Sequence, residues 1–537
     1  MLVTVQCLTA QTVSKVWVAD NGNGTYKNPI IHADYSDPDA IRVGDDYYMI
    51  SSSFNHVPGL PILHSTDLVN WKLIGHALNK LVPEKHFSKV QHGSGVWAPS
   101  IRYHKGEFYI YYPDPDFGIY LIKTKNINGP WSEPILVDKG KGLIDPCPLW
   151  DDDASPNTQG KKGKVYLVHA YAGSRAGIKS IIVVKQMNAE GTKIMGDAVM
   201  VYDGHANDPT IEGPKFYKRN GFYYIFAPAG GVSTGWQIVL RSKNIYGPYE
   251  RKLVMDQGTT TINGPHQGAW INTKTGEDWF LHFQDKEAYG RVVHLQPMKW
   301  KNDWPVIGID KESANKGEPV LINKKPNIGK TFPVNTPAES DEFNAPKLGL
   351  QWQWQANPQS AWAFPTGSGS LRMFSVYKND SIKSAWDYPN ILAQKFPAEE
   401  FLTTVKLDFN PRHVNEQFGL IVHGSDYAFI SLQKRKEGNF ITYNQCIRAD
   451  KGSTDSETII KQLNGSTIYL RVKIISGAVC EFSFSEDGKL FNAIGNSFTA
   501  KPGKWVGAKV GMFFNRTNIT NDAGYADVDW FRIDKVN

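Results

Sequence analysis

Three carboxyl residues stand at matching places in a sentence that the chain writes five times. Asp37 opens DPDAIRVGDDYYMIS, Asp145 opens DPCPLWDDD…KGKVYLVHAY, and Glu212 opens EGPKFYKRNGFYYIFAP. Trp97, in WAPSIRYHKGEFYIYY, and His266, in HQGAWINTKTGEDWFLHFQ, head the other two copies. A face that needed only hydrogen bonds could have used Asn or Ser. Carboxylates forced together raise one another's pKa, so that one can keep a proton while another accepts one, which is the chemistry of a general acid and a general base.

Each copy reads as a short apolar strand, a tight turn and an aromatic strand that comes back. The Asn220-Gly221 pair inside the fourth copy is a strong hairpin signal. A polar turn ending in an aromatic follows three of the headings at a nearly constant distance: HSTDLVNW from His64, KTKNINGPW from Lys123 and RSKNIYGPY from Arg241. A period of roughly 50–70 residues without a long helical pattern leaves room for about four strands per copy, the size of a propeller blade. Five blades around an axis are expected. If the first strand of each lies innermost, Asp37, Trp97, Asp145, Glu212 and His266 gather at one central funnel.

At 537 residues, with 41% hydrophobic and 21% charged residues, the chain has the composition of a soluble globular protein of two domains. The net charge of +6 comes from 59 basic and 53 acidic residues that are scattered, and no basic run marks a nucleic-acid footprint, so nucleic acid is excluded as a partner. No apolar run reaches transmembrane length. The opening MLVTVQCLTAQTVSK has an apolar stretch before Ala10-Gln11, compatible with the remnant of a signal peptide and then with a periplasmic or secreted address, and equally with a frayed terminus. Cys7, Cys147, Cys446 and Cys480 lack metal-ligand spacing, and Cys147 reads as a small buried thiol.

The run NPII…DPDAIRVGDDYYMISSS…PILHSTDLVNW resembles the opening of a family-43 glycoside hydrolase, and GLIDPCPLW and IEGPKFY agree. The resemblance extends from about Asn28 to the C-terminus. It implies a five-bladed propeller that hydrolyses glycosides with inversion, the general base falling on Asp37, a pKa-modulating Asp on Asp145 and the general acid on Glu212. The residues alone allow the same division of labour. Inversion needs two carboxyls roughly 6.5–9.5 Å apart with a water between base and sugar, whereas retention needs roughly 5–5.5 Å. Asp37 and Glu212 come from nonadjacent blades and can be that far apart, while Asp145, one blade from Glu212, can lend it negative charge.

The remaining candidates are substrate contacts. Phe54, in the loop SSSFNHVPGLPIL, is expected as a ring platform at the funnel mouth; Trp97 stacks on the sugar or fills the funnel floor; Trp236, with Gln237, stands where a blade-four loop can line the pocket. The resemblance puts Arg291, in YGRVVHLQPMKW, against a sugar hydroxyl, and gives His266 an axial structural role beside which a cation such as calcium can sit. No cofactor is required by this chemistry. The acidic run inside DDDASPNTQGKKGK lacks the spaced ligands of a calcium loop and reads as a surface hairpin.

The expected organisation is therefore all-β: a leader and linker over 1–27, the propeller over 28–310, a polar linker over 311–340 and a lectin-like β-sandwich over 341–537, where strands such as TTVKLDF, FGLIVHG and IYLRVKII alternate. Trp352 and Trp354 share one face there and read as core. The expected activity is exo-cleavage of a terminal pentose, β-D-xylose or α-L-arabinofuranose, from plant hemicellulose or its oligosaccharides. The alternatives are an arabinofuranosidase in place of a xylosidase, or a sugar-binding propeller without catalysis. A fructose-processing propeller is disfavoured because Ser36 precedes Asp37 and Asp39 follows Pro38, unlike its Asn-Asp-Pro-Asn opening.

Overall fold

A computed structural model describes residues 13–152 and 163–536. The cleavage point at Ala10-Gln11, Cys7 and most of the DDDASPNTQGKKGK insertion lie outside the described residues. Five four-stranded antiparallel sheets follow one another, each pairing its strands in chain order. Their first strands are Asp39–Val43, Ser100–His104, Leu143–Asp151, Lys215–Arg219 and His266–Asn272. The hairpin at Asn220-Gly221 has positive φ at both residues (50° and 75°), and Lys105-Gly106 repeats it (47° and 86°), the geometry whose twist matches that of the flanking strands.

Alternation along these strands sends apolar side chains to both faces of every blade, and each junction between neighbours holds its own apolar cluster. Ile50, Ile62 and Ile110 join blades one and two; Tyr111, Leu121 and Leu167 join two and three; Val168, Ile225 and Leu240 join three and four; Tyr224, Phe226 and Phe280 join four and five. Met49, Trp71, Leu281 and Val293 complete the circle between five and one. Because both faces of each blade are buried this way, only the axis and the two ends of the ring remain for function.

The ring is clasped from outside. Thr25–Lys27 pairs antiparallel with Ile322–Lys324. Beside that pair, the Asn28 side chain donates to Leu295 O (2.9 Å) and Val320 O (2.8 Å) and accepts from Leu295 N (2.9 Å). The stretches expected as leader and linker thus include strand pairing that composition did not reveal, since Tyr26 is fully buried and supplies one anchoring side chain in an otherwise polar run.

The C-terminal part packs two antiparallel-rich sheets, of eight and seven strands, around a large core, and a smaller apolar cluster with Trp386, Tyr427 and Phe513 lies beside it. Trp352 and Trp354 are 2% and 7% exposed within the large core. The blade-five turn Glu287–Tyr289 plugs into that core: the Tyr289 hydroxyl accepts from Ala478 N (2.8 Å) and donates to Glu399 O (3.1 Å). Gly507 lies so close to Gly290 that a Cβ there would stand 2.6 Å from the Gly290 nitrogen, so this crossing needs a glycine. The sandwich is held rigidly over one end of the propeller by these contacts.

Candidate active site

The three carboxyls occupy irregular backbone at the inner edges of blades one, three and four. Asp37 lies two residues before its strand with φ 56°, and Asp145 sits at the register shift between Ile144 and Cys147 with φ 58°. Asp is among the few residues that tolerate this left-handed region, and a strained residue at a break in pairing aims its side chain away from the sheet, here toward the axis. Gly213, at φ 61°, follows Glu212; a Cβ there would meet the Gln267 side chain at 2.5 Å, so only glycine lets this turn pass.

Asp37 is 4% exposed and held from several sides. Its Oδ2 accepts from Ser36 Oγ (2.6 Å) and Ser52 Oγ (2.5 Å), and Arg291 Nη1 lies 3.2 Å from Oδ1. Arg291 is fixed in turn by its backbone N–H donating to Asp34 (3.0 Å) and by its guanidinium lying 4.9 Å from the Phe283 ring centre. Asp39, the second acid of the DPD run, is spent elsewhere: it is fully buried and accepts from Arg102 Nη1 (2.7 Å) and Ile101 N (2.8 Å). Of the two, only Asp37 is available at the site.

Glu212 differs from Asp37 in being open, its side chain 32% exposed, with Oε1 3.0 Å from His266 Nε2. Asp145 lies behind it, 3% exposed, accepting from the Gly213 N–H at 2.7 Å. Burial pushes the Asp145 carboxyl up to about 8, and the charges of Glu212 and Asp37 add to the effect. The cluster therefore keeps a proton at neutral pH. Of the two neighbouring carboxyls, only Glu212 is exposed enough to reach a substrate oxygen. Lys215, fully buried below them, donates from Nζ to Pro99 O (2.8 Å) and partly offsets the negative charge on Asp145.

This pKa has a consequence for stability. Native Asp145 holds its proton up to about pH 8, whereas the unfolded chain releases it near 3.8, so the native state binds more protons between those values and loses stability as pH rises through them. Asp145→Asn is expected to melt above the wild type, by a margin that grows from about pH 5 to about pH 8. Thermal melts across that range check it; a margin that shrinks with pH contradicts it.

The other expected residues divide. Trp97 lies at the site, with its indole N–H on Gly93 O (3.0 Å) and the Arg175 guanidinium 5.5 Å from its ring centre. Phe54 is a correction: at 3% exposed it offers no open platform, because its backbone bridges Val96 and its ring packs edge-on, 6.2 Å away, behind Trp97. Trp236 is also drawn elsewhere, its N–H donating to Asp208 (2.9 Å) within the Asp208–Arg251 ion pair at the join of blades three and four. Arg291, expected against a sugar hydroxyl, has Asp37 as its partner here. His266 orients Glu212, which spends its Nε2. Among the described residues no three His, Cys, Asp or Glu side chains converge as metal ligands.

Sequence reasoning passed over Ser36, Ser52, Asp34 and, above all, Trp505. The sandwich loop carrying Trp505 reaches the funnel mouth, where its ring lies 6.0 Å edge-on from Trp97 and 5.9 Å from the Arg291 guanidinium. Asp34 accepts from Arg291 N and from Gly507 N (2.9 Å), tying this loop to the strand that carries Arg291. Trp505 is 40% exposed with φ 66°, a strained setting for a bulky residue, and it bounds a cavity of about 160 Å³ with Arg291. Ser51–Ser53 gave a hint as a polar run at a strand end, but no repeat flags a residue in a second domain.

A closed propeller with clustered carboxyls on its axis and an aromatic mouth defines a carbohydrate-processing enzyme. The family model for glycosyl hydrolases family 43 matches residues 26–305, and that of the β-xylosidase C-terminal concanavalin A-like domain matches residues 340–534. A β-xylosidase of Formosa agariphila is 35% identical over 573 residues, covering 98% of this chain and 92% of its own. A non-reducing end α-L-arabinofuranosidase of Bacteroides ovatus is 29% identical over 540 residues, covering 94% of each. The crystal structure of a xylan β-1,4-xylosidase from Bacillus halodurans superposes with a TM-score of 0.82 at 25% identity, covering 95% of this chain and 100% of that one. The chain belongs to glycoside hydrolase family 43 and is a glycosidase acting on O-glycosyl bonds.

Proposed function

We propose that this enzyme removes terminal β-D-xylose from the non-reducing end of hemicellulose-derived chains, with inversion at the anomeric carbon. The observation that carries the reading is the contrast between two carboxyls: Asp37 buried against Arg291, Glu212 open and backed by a protonated neighbour. In this reading Asp37 takes a proton from a water that attacks the anomeric carbon. Glu212 delivers one to the leaving oxygen from the opposite face, and His266 keeps its carboxyl in line. Asp145 supplies the proton reserve behind Glu212. Trp97 and Trp505 offer ring faces to the sugar.

The lean toward xylose is supported by the β-xylosidase relative and by the shared C-terminal domain. The second reading, α-L-arabinofuranosidase, is supported by the Bacteroides ovatus relative. Aryl β-D-xyloside and aryl α-L-arabinofuranoside assayed side by side separate them. The expected result is a higher kcat/KM on the xyloside; a preference for the arabinofuranoside selects the second reading, and turnover of neither overturns both.

A further inference from the structure

A groove of about 1090 Å³ opens on the sandwich, between its seven-stranded sheet and the propeller loop at Ser88–Val90. Its wall follows from strand alternation. On Leu371–Phe374 the residues Leu371 and Met373 are buried, so Arg372 and Phe374 face outward, and the neighbouring strand Tyr525–Asp534 sets Tyr525 opposite Phe374 and Asp527 opposite Arg372. Just beyond the residues that line the groove, the edge strand Ala363–Pro365 places Phe364, 43% exposed, opposite Arg372. The rings form a row, with centres 5.9 Å apart from Phe364 to Phe374 and 6.3 Å from Phe374 to Tyr525.

The guanidinium groups along this groove are already engaged. Arg372 makes two 2.8 Å bonds to Asp527 and lies 4.1 Å from the Tyr525 ring centre. Arg412 pairs with Asp522 at 3.2 Å, Arg516 donates to the carbonyl oxygens of Asn518, Ser375 and Thr520, and Lys89 and Asp387 bring one charge of each sign to the rim. An anion would have to displace a carboxylate or a backbone carbonyl to engage these guanidinium groups. A neutral polyhydroxylated chain would not: its ring faces lie on the aromatic rings and its hydroxyls bond the fixed edges of the ion pairs.

We infer that this groove is a second carbohydrate site, binding the main chain of a neutral pentose polymer away from the catalytic funnel. The choice of polymer rests on the reading of the enzyme as a hemicellulose pentosidase; the choice of a neutral glycan rests on the groove alone.

The test is affinity electrophoresis of the full chain carrying Glu212→Gln, which keeps the polymer intact, in gels containing arabinoxylan or polygalacturonate. Retardation by arabinoxylan and none by polygalacturonate is expected. Adding Phe374→Ala with Tyr525→Ala is expected to weaken it about tenfold, and Phe364→Ala, at an exposed ring with little folding risk, about threefold. With Glu212 restored, these variants are expected to hydrolyse aryl pentosides within about twofold of wild type, because they touch nothing in the funnel. Unchanged retardation in the variants, no retardation at all, or stronger retardation by polygalacturonate overturns the site. A wild type inactive on aryl pentosides but retarded through these rings overturns the proposed activity and leaves the groove standing.

Discussion

Asp37→Asn is expected to lower kcat by about 10³–10⁴, with the same fold loss on a nitrophenyl xyloside and on xylobiose. The asparagine keeps the shape of the carboxyl and can still accept from Ser36 and Ser52, so the pocket keeps its form. It cannot take a proton from water. Activation of the nucleophile is needed whatever leaves, which is why the leaving group does not alter the loss. The substitution also strips Arg291 of its carboxylate partner in a buried setting, so a lower melting temperature is expected alongside. Steady-state kinetics on the two substrates checks the claim. A loss below about tenfold shows that another group is the base.

Glu212→Gln is expected to do the opposite with respect to the leaving group. On xylobiose, whose departing sugar needs a proton, the rate falls by about 10²–10⁴, while on an activated dinitrophenyl glycoside most of the rate remains. The pH profile should change with it. In the wild type the proton held by the Asp145–Glu212 pair is lost at alkaline pH, with buried Asp145 itself up at about 8, so the alkaline limb of kcat reports that pair. In the variant that limb should flatten for the activated substrate. Equal losses on both substrates make Glu212 an orienting group only.

The carboxyls and the propeller were legible because each is tied to a repeat. A strand that must bury both faces repeats its apolar residues, and a residue at its head inherits a fixed direction, so Asp37, Asp145 and Glu212 could be placed from their position in the copy. Even so, the strands begin later than their headings: Asp37 and Glu212 lie on the bend before the strand, and Asp145 at a break within it. The bends are where an aspartate or a glycine tolerates positive φ, which period alone does not report. Phe54 and Trp236 misled because an aromatic in a loop fills a gap as readily as it faces a ligand, and both had neighbours, Trp97 and Asp208, that no local pattern links to them. Trp505 was hidden for the converse reason. It is delivered to the funnel by the docking of one domain on another, through Asp34, Gly290 and Gly507, a contact spanning most of the chain.

The roles of the two carboxyls are tested most directly by proton NMR of the first sugar released from an aryl β-D-xyloside, read before mutarotation. The proposed roles, Asp37 as base and Glu212 as acid on opposite faces of the anomeric carbon, predict α-xylose as the initial product. Initial release of β-xylose would mean that one carboxyl attacks the sugar itself, and would contradict the roles assigned to both.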